Sequence, residues 1–283
     1  MHSTSEKVSS EHIAQAFKAA CLAELQAIKP GNVHIFADGH GMVVQDFIKS
    51  ANVVAKVIAR PNLSVGQRIL KAVEATQAAV ACNTNLGIVL LSAVIVQAAL
   101  NQTQLTLQLS IQQVLTKLSV EDAECAYQAI RLANPAGLGQ VHQHDVNARP
   151  NISLLVAMNA AKEHDLVAQQ YSNGFADIMQ FGLTSYQSAM QKWSNPTWAT
   201  TNVYLSFLAH YPDSHVARKY GVAVAKKLSA EAQQHLIAFT VLDNPKLYLR
   251  QLLAWDADLK QQKLNPGTSA DLTVATLFVA HLL

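Results

Sequence analysis

Residues 65–81 read VGQRILKAVEATQAAVA. Within them Ile69, Leu70, Val73, Thr76, Gln77 and Val80 recur at the i, i+3, i+4, i+7 spacing of one helical face, and most are apolar. Residues 153–171 and 213–237 repeat the pattern. Convincing period-two alternation over five or more residues is absent. The best strand candidate, LTLQL at 105–109, stands directly before Ser110 and reads as the approach to a helix.

Outward from these stretches, the chain is punctuated by few breakers, 11 Gly and 8 Pro. They cluster at 30–31 (PG), 38–41 (DGHG), Pro61, 134–139 (NPAGLG), Pro150, Pro196, Pro212 and 265–267 (NPG). Between them lie segments of about 12–25 residues with helical spacing. No fixed-period repeat, low-complexity segment or linker interrupts them. The expectation is an all-α fold, one domain over residues 1–283, built of roughly ten helices with the ligand pocket between helices.

Composition narrows the function. Of 283 residues, 50% are hydrophobic and 14% charged, which excludes a disordered chain. A net charge of +2 is too small to attract nucleic acid through a basic field. Any anion must be held by a few placed residues. Cys21, Cys82 and Cys125 form no CxxC pair, so neither a zinc ribbon nor a disulfide framework is indicated. The opening residues MHSTSEKVSSEHI lack the basic-then-apolar form of a signal peptide. The longest apolar run, 86–96, is about half a membrane span and predicts a buried helix. A cytoplasmic protein without a membrane partner is the expectation, with a homodimer left open.

In an all-α fold, phosphates are held between helices and at helix N-termini, so the loops that open helices matter most. Four are rich in polar groups. In IKPGNVH (28–34), Pro30 pushes Lys29 out of the α region, and Lys29, Asn32 and His34 offer a cation and polar groups, with Asp38 following. A plain Pro-Gly turn is the alternative. In CNTNLG (82–87), Asn83, Thr84 and Asn85 precede the apolar run; one would suffice as a cap, and three suggest a polar pocket at a helix start. In the third loop His142, His144 and Asp145 follow NPAGLG, which is neither GxGxxG nor a Walker A motif. Asp145 is the better candidate for Mg²⁺ through oxygen, and downstream Asp165 and Gln169 share a helical face. In the fourth, NPGTSAD (265–271), Thr268 and Asp271 have near-capping-box spacing.

IKPGNVH, NTNLG, HDLVAQQYSNGF (164–175), YPDSHVARKYG (211–221) and NPGTSADLT (265–273) occur in this order over nearly the whole chain. Together they resemble the triphosphoribosyl-dephospho-CoA synthase family, and the GLGQVHQHDV (137–146) and HDLVAQQY (164–171) segments resemble a divergent branch associated with C1-metabolism cofactor genes. The resemblance implies an all-helical enzyme that uses ATP as a triphosphoribosyl donor. A hydroxyl of dephospho-CoA attacks the ribose, and adenine leaves. It implies Lys29, Asn32, Asn83, Thr84, Gly87, Arg218, Lys219, Thr268 and Asp271 as ATP contacts, with Mg²⁺ on Asp145 and Asp165. For the catalytic role, Asp165, His34 and Asp38 are the candidates, Asp165 preferred because a helix-mounted carboxylate is held rigidly. Where the citrate-lyase members have NTHKG, this chain has Asn85 and Leu86. That departure leaves two alternatives: ribosylation of a tetrahydromethanopterin-type precursor by the same chemistry, and a non-catalytic nucleotide-binding protein.

Overall fold

The computed structural model describes residues 8–39, 41–101, 105–135 and 145–283. Its order is α1 (Ser10–Gln26), α2 (Val44–Ile58), α3 (Val65–Val80), α4 (Leu86–Asn101), α5 (Leu107–Thr116), α6 (Val120–Ala133), α7 (Leu154–Ala161) and α8 (Leu166–Asn173). A π-helical turn, Asp177–Gly182, leads into α9 (Leu183–Trp193), followed by α10 (Pro196–His210), α11 (Ser214–Tyr220) and α12 (Val222–Thr240). A 3₁₀ turn, Pro245–Tyr248, precedes α13 (Leu249–Gln261) and α14 (Gly267–Leu282). Among the described residues there is no strand, only isolated bridges His34–Ala37 and Gly39–Met42. No described helix is long and apolar enough to cross a membrane.

The all-α expectation holds, but the described residues form fourteen α-helices, not roughly ten. Two segments with unbroken apolar spacing are each cut in two. The 153–171 stretch breaks where Asp165 adopts an extended conformation and caps α8. The 213–237 stretch breaks at Gly221, whose φ of 92° no helix accommodates. Both breaks place a new helix start beside the site described below.

Two apolar clusters hold the helices. The larger is built on α4, which is apolar on all sides and buried accordingly, with α1, α3, α6 and α14 around it. The smaller joins α10, α12 and α13. Polar fastenings fix the contacts. Asp122 completes the capping box of α6 through the Ser119 N–H and also accepts from Ser64 Oγ (2.6 Å) and the Gly66 N–H (2.8 Å) at the start of α3. The two helices meet so closely that a Cβ on Gly66 would lie 2.5 Å from Asp122 Cα. Backbone, not a flexible side chain, occupies that space. Gly66→Ala should therefore lower stability by about 1–3 kcal/mol, read from denaturant midpoints. An unchanged midpoint would show that α3 and α6 can separate freely.

Candidate active site

The first wall begins with α1. Its apolar stripe runs through Ile13, Ala16, Phe17, Ala20 and Cys21, and carries one carboxylate on the same face, Glu24, which is 4% exposed. The chain then turns through 27–34. Gly31 takes a left-handed φ of 83° and packs so tightly that a Cβ would meet Leu264 O at 2.9 Å. Its N–H donates to Asp256 (2.9 Å), and Tyr204 Oη donates to Pro30 O (2.7 Å). Lys29 lies wholly inside this turn. Its Nζ donates to Glu24, to Asn32 Oδ1 (2.9 Å) and to Val33 O (2.7 Å). All three ammonium hydrogens are thereby used.

Three expectations for this loop change. Lys29 is a buried fastener of Glu24 and Asn32, not a cation offered to a ligand. His34 is fully buried, with Nε2 3.2 Å from Asp256 Oδ2, and is not on the cavity wall. Burial holds its pKa below the ordinary value despite Asp256, so it is a neutral strut rather than a base facing substrate. Asp38 is exposed and accepts from the Val44 N–H (2.9 Å) at the start of α2, which makes it a cap. Asn32 stays on the wall, with Nδ2 donating to Asn265 Oδ1 (2.8 Å).

The other walls are helix starts. At α4, Asn83 Oδ1 accepts from the Leu86 N–H (3.1 Å), Thr84 Oγ1 bonds Ser50 Oγ (2.7 Å), and Asn85 Oδ1 accepts from Thr76 Oγ1 (3.1 Å). Each of the three polar residues has its own structural partner, and all three line the cavity. At α8, Asp165 Oδ1 caps Val167 and Ala168 while Oδ2 pairs with Arg218 Nη1 at 3.1 Å. At α11, Asp213 caps Val216 and accepts from the Ser269 N–H and Oγ, both 2.8 Å. Ser214 Oγ bonds Thr268 Oγ1 (2.9 Å) and accepts from the Leu166 N–H (3.3 Å). The expected capping box of Thr268 and Asp271 does not form. Thr268 instead accepts from the His215 N–H (3.2 Å), and α14 starts after Pro266 without a side-chain cap.

These walls enclose a cavity of about 940 Å³. Among the described residues, Asn32, Asn83, Thr84, Gly87, Asp145, Asp165, Arg218, Thr268 and Asp271 line it, as do Glu24, Lys162, Lys226, His164 and His215. Lys219 does not; its ammonium sits 5.2 Å over the Tyr220 ring, so it is an exposed residue of α11 and not part of a clamp. His142 and His144 lie outside the described residues. Asp145 Oδ1 accepts from the N–H and Nδ2 of Asn147, both 2.8 Å. No group of three or more His, Cys, Asp or Glu suited to a metal ion occurs among the described residues. Glu24, Lys162 and Lys226 are absent from the sequence-based candidates. Glu24 was detectable as the one carboxylate on an otherwise apolar helical stripe.

Comparison with known proteins gives three findings. The profile of the ATP:dephospho-CoA triphosphoribosyl transferase family (CitG) matches residues 10–283. Proteins named probable 2-(5''-triphosphoribosyl)-3'-dephosphocoenzyme-A synthase match in part. The one from Vibrio cholerae is 31% identical over 111 residues, covering 39% of this chain and 35% of that protein. The one from Albidiferax ferrireducens is 29% identical over 110 residues, covering 39% and 36%. The chain thus matches about a third of the length of these curated relatives. A solved chain from Archaeoglobus fulgidus carrying the triphosphoribosyl-dephospho-CoA synthase name superposes with a TM-score of 0.64 at 20% identity, covering 84% of this chain and 97% of that one; it shares the fold.

The placement of Lys29 is directly testable. Lys29→Met leaves Glu24 buried without its cation and should cost about 3–5 kcal/mol of folding stability in denaturant titration. A variant with wild-type stability and a selective loss of nucleotide binding would return Lys29 to the ligand.

Proposed function

The chain belongs to the ATP:dephospho-CoA triphosphoribosyl transferase family, and from that premise we propose that its cavity transfers the triphosphoribosyl group of ATP to a hydroxyl of dephospho-CoA with release of adenine. The observation that carries this reading is convergence. Residues of the IKPGNVH, NTNLG, HDLVAQQY, YPDSHVARKYG and NPGTSADLT segments, scattered from 28 to 273, line one cavity.

The cavity suits a long, strongly anionic substrate. Lys162, Arg218 and Lys226 place three cations on walls made by α7, α11 and α12. Leu86, Gly87 and Ile88 bring the start of α4, the positive end of its dipole, to another wall. Apolar groups such as Leu86, Tyr127, Ile130 and Met158 offer surface for a base or a pantetheine-like chain. For Mg²⁺ the wall offers Asp145 as a hard carboxylate donor, whereas the Asp165 oxygens are engaged by the α8 cap and Arg218, so phosphate oxygens and water would supply most of the shell. When bound, the cation neutralises triphosphate charge. Arg218, steered by Asp165, orients the triphosphate, and the ribose is thereby presented to the carboxyl groups of α1 and α14. Breaking the N-glycosidic bond builds positive charge on the ribose, which carboxylates stabilise, and leaves the triphosphate intact.

Product analysis by mass spectrometry tests the reaction. With ATP, Mg²⁺ and dephospho-CoA the protein should yield free adenine and an acceptor heavier by one triphosphoribosyl group. ADP or AMP with the base attached would overturn the glycosyl transfer, and tight ATP binding without any product would establish a binding protein. Adenine formed with a ribitol-bearing pterin, but not with dephospho-CoA, would keep the chemistry and replace the acceptor. Arg218→Ala should weaken ATP binding by about 1.5–3 kcal/mol in calorimetry, whereas Lys219→Ala should leave it unchanged. Equal losses in both variants would contradict the assignment of Arg218 alone to the cavity.

A further inference from the structure

Two carboxyl groups on the cavity wall differ in their surroundings in a way that separates their chemistry. Glu24, in the last turn of α1, is in contact with the Lys29 ammonium, which favours its ionised form. Asp271, in the second turn of α14, is pressed against α4. A Cβ on Gly87 would fall 2.0 Å from Asp271 Oδ2, so only glycine leaves room for that carboxyl. Among the described residues the Asp271 carboxyl makes no hydrogen bond and no ion pair. The charged groups that act on it are Asp213 from the start of α11, Glu24 from α1 and Asp165 from the start of α8, all of like sign, with Arg218 of α11 and Lys29 of the turn after α1 as the opposing cations.

We infer that Glu24 and Asp271 are the catalytic base and acid of the transfer, an assignment that rests on the reaction proposed above. The acceptor oxygen forms a bond to the ribose C1′ as the C1′–N9 bond breaks, its electron pair leaving with the base. The hydroxyl proton goes to the Glu24 carboxylate. The Asp271 proton goes to a ring nitrogen of the departing adenine. Solvent returns a proton from Glu24 to Asp271 between turnovers, so protons balance and the triphosphate is untouched. The electrostatics agree. Burial and the three like charges hold the Asp271 carboxyl well above the usual carboxylate range, and Arg218 opposes them weakly. Burial holds the Glu24 carboxyl above the usual carboxylate range as well, and there the Lys29 ammonium in contact opposes the rise. The two carboxyls differ in their partners, a cation in contact with Glu24 and none in contact with Asp271, and that difference suits them to opposite proton-transfer roles. Gly87 acquires a role here, as the residue whose missing side chain lets Asp271 approach the start of α4.

The test compares two donors, ATP and an ATP methylated at N7, whose base leaves neutral without taking up a proton. Asp271→Asn should slow adenine release from ATP by about 100-fold or more. On the N7-methylated donor the same variant should run within roughly threefold of wild type. Glu24→Gln should be slow with both donors. Gly87→Ala, which displaces the Asp271 carboxyl, should follow Asp271→Asn in slowing ATP and being rescued by the methylated donor. Circular dichroism and ATP calorimetry identify variants that retain the fold. Should Glu24→Gln not fold, the Asp271→Asn comparison decides. An Asp271→Asn enzyme that is unimpaired on ATP, or equally slow on both donors, would overturn the assignment while leaving the reaction standing. Absence of adenine from the wild-type enzyme with ATP and acceptor would instead remove the reaction on which it rests.

Discussion

A single buried carboxylate, Asp213, holds the helix starts around the cavity in register. It is fully buried, and among the described residues it makes no salt bridge. Its charge is met by the N–H groups of Val216 and Ser269 and the Ser269 hydroxyl. Burial pushes its pKa up, and those donors pull it down. An ionised carboxylate taken out of water costs several kcal/mol unless such donors meet it. That requirement is a geometric one. The first turns of α11 and α14 must point at the two oxygens of one carboxylate, Oδ1 for Val216 and Oδ2 for Ser269. Ser214, next in sequence, then reaches both Thr268 and the first N–H of α8. Three helices with little sequence proximity thus begin at one place, and the loops between them form a cavity instead of a packed seam.

A buried ion pair, Lys29 with Glu24, does the same for another wall. Lys29 ties Glu24 to the turn that follows α1, and Asp256 clamps that turn from below through Gly31, His34 and Lys260. The result is a division of charge within a chain whose net charge is only +2. Carboxyl groups gather where α1, α4 and α14 meet, and Lys162, Arg218 and Lys226 stand on the walls made by α7, α11 and α12. A donor with a cationic transition state at one end and a triphosphate at the other matches that separation. A uniformly basic pocket would hold the triphosphate as well but would oppose charge development on the ribose.

Much of this was legible in the sequence, and the failures have physical causes. The helix at 65–80 follows from apolar spacing and the one at 86–101 from its continuous apolar run, because core packing demands both whatever the ligand. The polar loops were found because Gly and Pro mark helix ends and this fold places its site at helix ends. Side-chain direction was not legible. A lysine in a Pro-Gly turn can face a ligand or fold inward onto its own helix, and only the position of Glu24 decides for Lys29. His34 and Asp38 lie in the right loop and point away from the cavity, one onto Asp256 and one onto the start of α2. Asp165 is on the wall, but its oxygens serve the α8 cap and Arg218. No loop signal marks Glu24, which sits inside a helix, away from every breaker. The short helices α8 and α11 were merged with their neighbours because apolar spacing continues across Asp165 and Gly221.

The central claim is that the ribose of ATP lies between Glu24 and Asp271 with its triphosphate toward Arg218. A crystal structure of the protein with ATP and Mg²⁺ measures this directly. The account predicts density for the nucleotide inside the cavity, the ribose C1′ within about 4 Å of a carboxyl oxygen of Glu24 or Asp271, and phosphate oxygens on Arg218 with Lys29 still buried on Glu24. A nucleotide bound outside the cavity, or a triphosphate resting on a Lys29 released from Glu24, would contradict it.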